Sequence, residues 1–286
     1  MENPSPTMAV PWWSFTKTVI AAASLVLVGH GSLALDKPTA DAAYTLRQLL
    51  QHRAGLPDYG ALDAYRVAVA AGEEPWPPDV LLARLRSDRL LFTPGQGWRY
   101  SNVGYLIVRR ELEQATGEPL GPLLERLVLR PLDIAGAWLA TSPGDLAGVE
   151  MGEAGEYHPG WVYHGLMVGP AESAALLLDR LMNGDLLAKH LLDEMIAPYP
   201  VGASIPDRPW TEPGYGLGVM SGTMEGGLRA VGHTGAGPGS VFAAYHVPDG
   251  APPGTGAAFV NGSDEGHAER LALAAAASNG NAACRS

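Results

Sequence analysis

The sequence predicts an α+β fold in which helices and strands keep to separate stretches of the chain. Three observations carry this. The run Val19–Val28 is apolar around its whole circumference, as a buried helix is and a surface helix is not. From there to about Pro200, apolar residues recur at helical spacing between glycine and proline breaks. Beyond Pro200 the pattern turns into short β-like runs divided by glycine and proline turns, closed by an alanine-rich stretch. Helices first and strands afterwards argue a helical middle, then an antiparallel meander and a last helix.

Met1–Trp13 is short and rich in proline. The first helix runs from Ser14 to about Gly29, where Gly29 and Gly31 stop it. Thr45-Leu46-Arg47-Gln48 is a capping box, with Leu46, Leu49 and Leu50 as the buried stripe behind it. That helix closes near His52, and Ala54–Tyr59 is a turn. Helical patterns follow at Ala61–Ala71, Asp79–Arg86 and Val103–Thr116, with an irregular loop at Thr93–Gly97. Leu120–Leu129 is a helix that Pro131 breaks. Thr141–Trp161 has many glycines and little period, and reads as irregular. Pro170–Asn183 and Leu186–Ile196 are two more helices. Tyr215–Met220, Leu228–Thr234, Val241–Val247 and Ala257–Val260 are the strands, and Asp264–Ser278 is the closing helix.

Composition narrows the function. The 286 residues suffice for one large domain or two ordinary ones. With 47% hydrophobic and 17% charged residues, the chain can bury an ample core. A net charge of −11, with no basic stripe to neutralise phosphates, argues against a nucleic-acid partner. The eight histidines are scattered without metal-ligand spacing, so no metal or other cofactor is expected. The single cysteine, Cys284, cannot form an internal disulfide and reads as an inert tail residue. Lys17, the apolar run and the small residues Ser32 and Ala34 mimic a signal peptide. Glu2, the prolines and the two tryptophans ahead of them make a poor basic leader, and the run is too short to span a bilayer. The expectation is a cytoplasmic chain with no membrane partner; its oligomeric state stays open.

Three stretches carry chemistry. Ser14 and Lys17 are three apart at the start of the apolar helix, hence on one face, one turn from each other. The helix dipole favours a developing anion at such a serine. A lysine that loses hydration in a cleft becomes a base for the hydroxyl. The plain alternative is a capping serine and a solvent-facing lysine. Tyr100-Ser101-Asn102 lies between a Pro-Gly loop and a helix. A tyrosine there can project into a cleft, where neighbouring cations lower its pKa and make the phenolate a base. The Asn102 amide can orient a substrate carbonyl and hold the lysine; otherwise it is an N-cap. His233-Thr234-Gly235 ends a β run, with Ala236 next, where a strand edge can hold substrate and aim an N–H at an oxyanion. Otherwise it is a plain strand end. No Gly-x-Ser-x-Gly elbow and no phosphate-binding glycine loop is present.

In this order, and with their flanks, these stretches resemble the serine β-lactamase-like superfamily, in its class C β-lactamase, DD-peptidase and esterase branch. The resemblance runs from Trp13 nearly to the end. Thr45–Pro57 is similar to that branch's "TLRQLLSHTSGLP" segment, with Arg53 and Ala54 in place of "TS". Pro94–Tyr105 resembles its "PG-x-x-x-x-YSN-x-GY" segment, and Tyr215–Gly218 and Gly232–Gly235 resemble its closing strands. His233 stands where class C β-lactamases have the lysine of "KTG". Only thirteen residues precede Ser14, fewer than the branch usually carries before this motif.

The resemblance implies a β-lactamase/transpeptidase-like fold with a shortened N-terminus. Residues 1–13 and 200–286 would form the sheet region and 14–199 the mainly helical one, with the active-site cleft between them. It implies acyl transfer from a small-molecule substrate through Ser14, with Lys17 and Tyr100 moving the proton. Asn102, His233, Thr234, Gly235 and Ala236 would bind substrate, the N–H groups of Ser14 and Ala236 forming the oxyanion hole. The leading expectation is hydrolysis of carboxylic esters or related acyl substrates. One alternative is a β-lactamase or D-peptidase, against which the poor export signal weighs. The other is a non-catalytic binding module of the same fold. Partial protonation of His233 near pH 7 would make carboxylate recognition weak.

Overall fold

The computed structural model describes residues 8–38, 43–154, 157–250 and 252–283. Strand β1 (Ala9–Pro11) leads through a 3-10 turn, Trp13–Phe15, into helix α1 (Thr16–Gly29). Every side chain of α1 from Thr16 to Leu25 is buried, as the apolar run requires. Helices α2 (Leu46–Leu50), α3 (Asp63–Ala70), α4 (Pro78–Leu85), α5 (Asn102–Thr116) and α6 (Leu120–Leu124) follow. The Thr45–Gln48 capping box forms with both of its reciprocal bonds. Ser101, not Asn102, caps α5: its hydroxyl accepts the Gly104 N–H at 3.3 Å. Gly117 closes that helix in the left-handed region. The helix expected over Leu120–Leu129 is α6 continued by a wider π turn, Glu125–Leu129.

Strands β2 (Trp138–Ala140) and β3 (Leu166–Pro170) precede helices α7 (Ala171–Met182) and α8 (Lys189–Ile196). The remainder is β4 (Tyr199–Pro200), β5 (Trp210–Glu212), β6 (Gly214–Tyr215), β7 (Met220–Met224), β8 (Arg229–Gly237), β9 (Ser240–Val247), β10 (Gly254–Asn261) and helix α9 (Glu265–Ala283). The main sheet has the order β10-β9-β8-β7-β6-β4, every pair antiparallel, with β5 beside β7. One face of it meets α9, and the other meets Trp12 and Phe15, whose rings lie 6.4 and 5.7 Å from that of Phe242. Helices, an antiparallel sheet and a second small sheet make the α+β class expected. Among the described residues no helix is long and apolar enough to cross a membrane. Cys284 lies outside the described residues.

Three expectations change. Residues 9–11 do not join the main sheet. They pair with β3, which also takes β2, in a small sheet with the order β1-β3-β2. The reason is that Leu166-Met167-Val168 is apolar throughout and buried, so it offers hydrogen bonds on both edges without showing any alternation. Second, the run Tyr215–Met220 is not one strand. It breaks between β6 and β7 at Gly218, which has φ 77° and lies where an added Cβ would strike Ala21 at 2.3 Å. Third, β8 and β10 extend beyond the β-branched runs that announced them, through the glycines at their ends.

Candidate active site

The Ser14 turn is pinned from both sides. The Trp12 N–H donates to Met167 O at 2.9 Å and its indole N–H to Gly169 O at 3.1 Å. The Trp13 indole donates to Ser240 Oγ at 3.1 Å, and Trp13 sits at φ 42°, a strained value for a bulky residue. Between Pro11 and Ile20, Ser14 alone is partly exposed. Gly235 of β8 backs directly onto it: an added Cβ would come within 2.2 Å of Ser14 N.

Two groups converge on the Ser14 hydroxyl. Lys17 Nζ is 3.1 Å from Ser14 Oγ, and the Tyr100 hydroxyl donates to Ser14 Oγ at 2.9 Å. Lys17 is fully buried. Burial lowers its pKa to about 7, against a weaker upward pull from the Asp58 carboxylate. Near neutral pH a large share of Lys17 is therefore the free amine, whose lone pair can take the serine proton. Tyr100 goes the other way, correcting the expectation of a phenolate. Burial pushes its pKa up more strongly than the Ser14 hydrogen bond pulls it down. Tyr100 stays a phenol and a donor to Ser14.

The other expected residues divide. Asn102 lines the cleft, but its amide nitrogen donates to Asp58 Oδ2 at 3.3 Å and its backbone N–H to Asp58 Oδ1 at 2.7 Å. It does not hold the lysine, whose hydrogen-bond partners are Ser14 and His164. Ala236 is exposed and lines the cleft. The Thr234 side chain points to the opposite face of the sheet. There its hydroxyl donates to buried Glu269 at 2.5 Å and lies 2.6 Å from the Tyr245 hydroxyl. Alternation along β8 forces this, because Gly235 faces Ser14.

His233 is buried, and both ring nitrogens are engaged. Nδ1–H donates to the carbonyl of Thr234 at 2.7 Å, so Nε2 accepts from the Tyr215 hydroxyl at 2.8 Å. Burial, then the nearby Lys17 charge, lower its pKa to about 3. The expectation of partial protonation near pH 7 is corrected: His233 is neutral there and has no free donor for a carboxylate.

Sequence reasoning missed several residues of the cleft. Its volume is about 520 Å³, and Tyr59, Tyr65, Tyr157, Val162 and His164 line it beside Trp13 and Ser14. Of the tryptophans nearby, Trp13 lines this cleft, whereas Trp12 and Trp161 are buried in the core. Arg66 is also in the lining, ion-paired to Asp63. Asp58 had a signal, an Asx-type turn just before a helix. His164 had none, being 147 residues from its partner Lys17.

A buried amine and a phenol thus meet on one serine, beside the end of β8. The family model for beta-lactamase matches residues 3–279, and the chain belongs to that family. It is 34% identical over 139 residues to Esterase EstB of Burkholderia gladioli, covering 42% of this chain and 35% of the esterase. It is 29% identical over 214 residues to a D-aminopeptidase of Cereibacter sphaeroides, covering 72% of this chain and 40% of that protein. The chain thus spans well under half the length of these curated relatives. Among solved structures, a D-stereospecific amidohydrolase from Streptomyces sp. superposes with a TM-score of 0.72 at 25% identity, over 85% of this chain and 79% of that one. The D-amino acid amidase from Ochrobactrum anthropi shares the fold, with a TM-score of 0.76 at 24% identity, over 92% of this chain and 81% of that one.

Proposed function

We propose that this chain is a serine acyl hydrolase acting on carboxylic esters or related acyl substrates that carry no recognised carboxylate. The observation that carries the reading is the convergence of Lys17 Nζ and the Tyr100 hydroxyl on Ser14 Oγ in an aromatic-lined cleft. Lys17, as the free amine, takes the serine proton while Oγ attacks the carbonyl carbon. The N–H groups of Ser14 and Ala236 receive the oxyanion. Collapse expels the leaving group, which takes a proton from Tyr100, and the Lys17 ammonium returns one to the phenolate. Water then attacks the acyl-enzyme by the same route reversed. Fluorophosphonate labelling with intact-mass readout tests this: one adduct on Ser14 is expected, and a non-catalytic binding module would give none. Tyr100→Phe is expected to lower kcat roughly 10²-fold or more with little change in KM. Activity kept with stability lost would make Tyr100 a packing residue.

The second reading is an amide or D-peptide substrate, supported by similarity to the D-aminopeptidase and the D-stereospecific amidohydrolase. A panel of p-nitrophenyl butyrate, a D-amino acid amide and nitrocefin separates the two. Neutral His233 gives a further expected result. The ratio of kcat/KM for nitrocefin to that for p-nitrophenyl butyrate should stay flat from pH 5.5 to 8.5, because Lys17 ionisation affects both terms alike. A ratio that climbs towards acid would mean that His233 senses the carboxylate.

A further inference from the structure

Lys17 must hold its lone pair on Ser14 and then carry a proton in a buried place. An ammonium has three N–H donors. Two hydrogen-bond partners meet Lys17 Nζ among the described residues, Ser14 Oγ and His164 Nε2, each at 3.1 Å. In the acyl-enzyme Ser14 Oγ becomes an ester oxygen, a poor acceptor. His164 Nε2 is then the acceptor that persists.

The tautomer decides what His164 can do. A proton on Nε2 would bind the Lys17 lone pair and take it from the serine. A proton on Nδ1 leaves Nε2 free to accept a Lys17 N–H, and the lone pair then falls to Ser14. Nδ1 of His164 is buried and has no hydrogen-bond partner among the described residues. A histidine kept for packing would satisfy that atom, since buried polar groups nearly always find one. The hydrogen-bond contact of this ring is at its other nitrogen, to Lys17. Gly165, at φ 110°, gives the backbone turn that presents it; a Cβ there would strike Leu139 at 2.9 Å.

We propose that His164 is the positioning residue of Lys17: its Nε2 accepts one Lys17 N–H, aims the remaining lone pair at Ser14 and supports the ammonium once the serine proton has moved. The proposal rests on reading Ser14 and Lys17 as the acylating pair. The other groups facing the amine do not offer this. The rings of Tyr100 and Tyr105 lie 5.1 and 5.6 Å from Nζ and present their faces. Asp58 acts on Lys17 through space and is hydrogen-bonded to Asn102 and Gly60. His52 and His233 are held neutral by burial, and their ring nitrogens hydrogen-bond to Ser101, Thr234 and Tyr215. Arg109, which acts on His164 through space, is paired with Glu113.

The test reads Lys17 directly. The chain has three lysines, Lys17, Lys37 and Lys189, so ¹⁵N-lysine labelling gives few side-chain signals, and Lys17→Met identifies the one required. His164→Leu removes the acceptor without making room for water. It is expected to lower the Lys17 midpoint by about one pH unit, to move the acidic limb of kcat/KM with it, and to cut kcat/KM roughly 10- to 100-fold. His164→Gln, whose side-chain oxygen can accept the same N–H, should keep the midpoint within a few tenths of a unit and the rate within about threefold. An unmoved Lys17 midpoint in His164→Leu overturns the proposal. So does a His164→Gln variant that folds, by circular dichroism, yet shifts the midpoint as far as leucine does. If the midpoint behaves as expected but the wild-type chain takes no fluorophosphonate, the hydrolase reading falls while the Lys17–His164 pairing stands.

Discussion

Ser14→Ala is expected to abolish the fluorophosphonate adduct and to lower turnover of p-nitrophenyl butyrate on the order of 10⁴-fold or more. The size follows from the mechanism. Lys17 and Tyr100 move protons for this oxygen, and without it they have no bond to make. The fold should survive. Ser14 lies in a one-turn 3-10 segment, and among the described residues its hydroxyl is hydrogen-bonded to Lys17 and Tyr100 alone. Losing them leaves one buried phenol without an acceptor, a cost of about 1–3 kcal/mol. The backbone pins at Trp12 and Trp13 stay in place. A thermal melt alongside the assay makes the distinction. Activity near wild type in a folded Ser14→Ala variant would place the nucleophile elsewhere, and loss of activity through unfolding would leave the assignment unsupported.

The parts of this site that rest on local geometry were legible in the sequence. Ser14 and Lys17 meet because three residues make nearly one helical turn, and Tyr100 stands at the loop before α5 because a Pro-Gly turn and a serine cap put it there. The glycine at position 235 reads in the sequence as room for substrate at a strand edge, whereas in the structure that room is taken by the backbone of Ser14. What was not legible depends on burial or on contacts far apart in the chain. The ionisation of Tyr100 and His233 is set by the absence of water around them, which no motif records. His164 joins Lys17 across 147 residues, and Tyr157 joins the cleft from a stretch without period. The small sheet escaped for a related reason. A strand buried on both faces is a plain apolar run, which alternation cannot separate from the start of a helix.

Lys17→Met carries the second large effect, and it acts on activity and stability in opposite directions. Without the amine no other base among the described residues meets the serine hydroxyl, because Tyr100 is held as a phenol and His164 touches Lys17 rather than Ser14. A fall in kcat/KM of roughly 10³-fold or more is expected. Stability should rise at neutral pH. Lys17 has a pKa of about 7 in the fold against 10.5 as an ordinary side chain. Between those values the unfolded chain binds more protons than the folded one, so wild-type stability increases with pH across that window. Below about pH 7 the whole penalty of burying the amine is present. Above pH 10.5 it is gone. Methionine fills a similar volume with no charge to desolvate. After subtracting the two lost hydrogen bonds, the variant should gain on the order of 2–3 kcal/mol at pH 6 to 7, with the gain falling to zero at about pH 9 and becoming a loss of about 2 kcal/mol near pH 10.5. Denaturant unfolding of both chains at pH 6, 8 and 10 measures this. A gain that does not shrink with rising pH would mean that Lys17 is not ionising in this window. A retained rate would mean that it is not the base. Both expectations have one physical origin: the desolvation that makes Lys17 a usable base near neutral pH also weakens the fold, and removing it should trade one against the other.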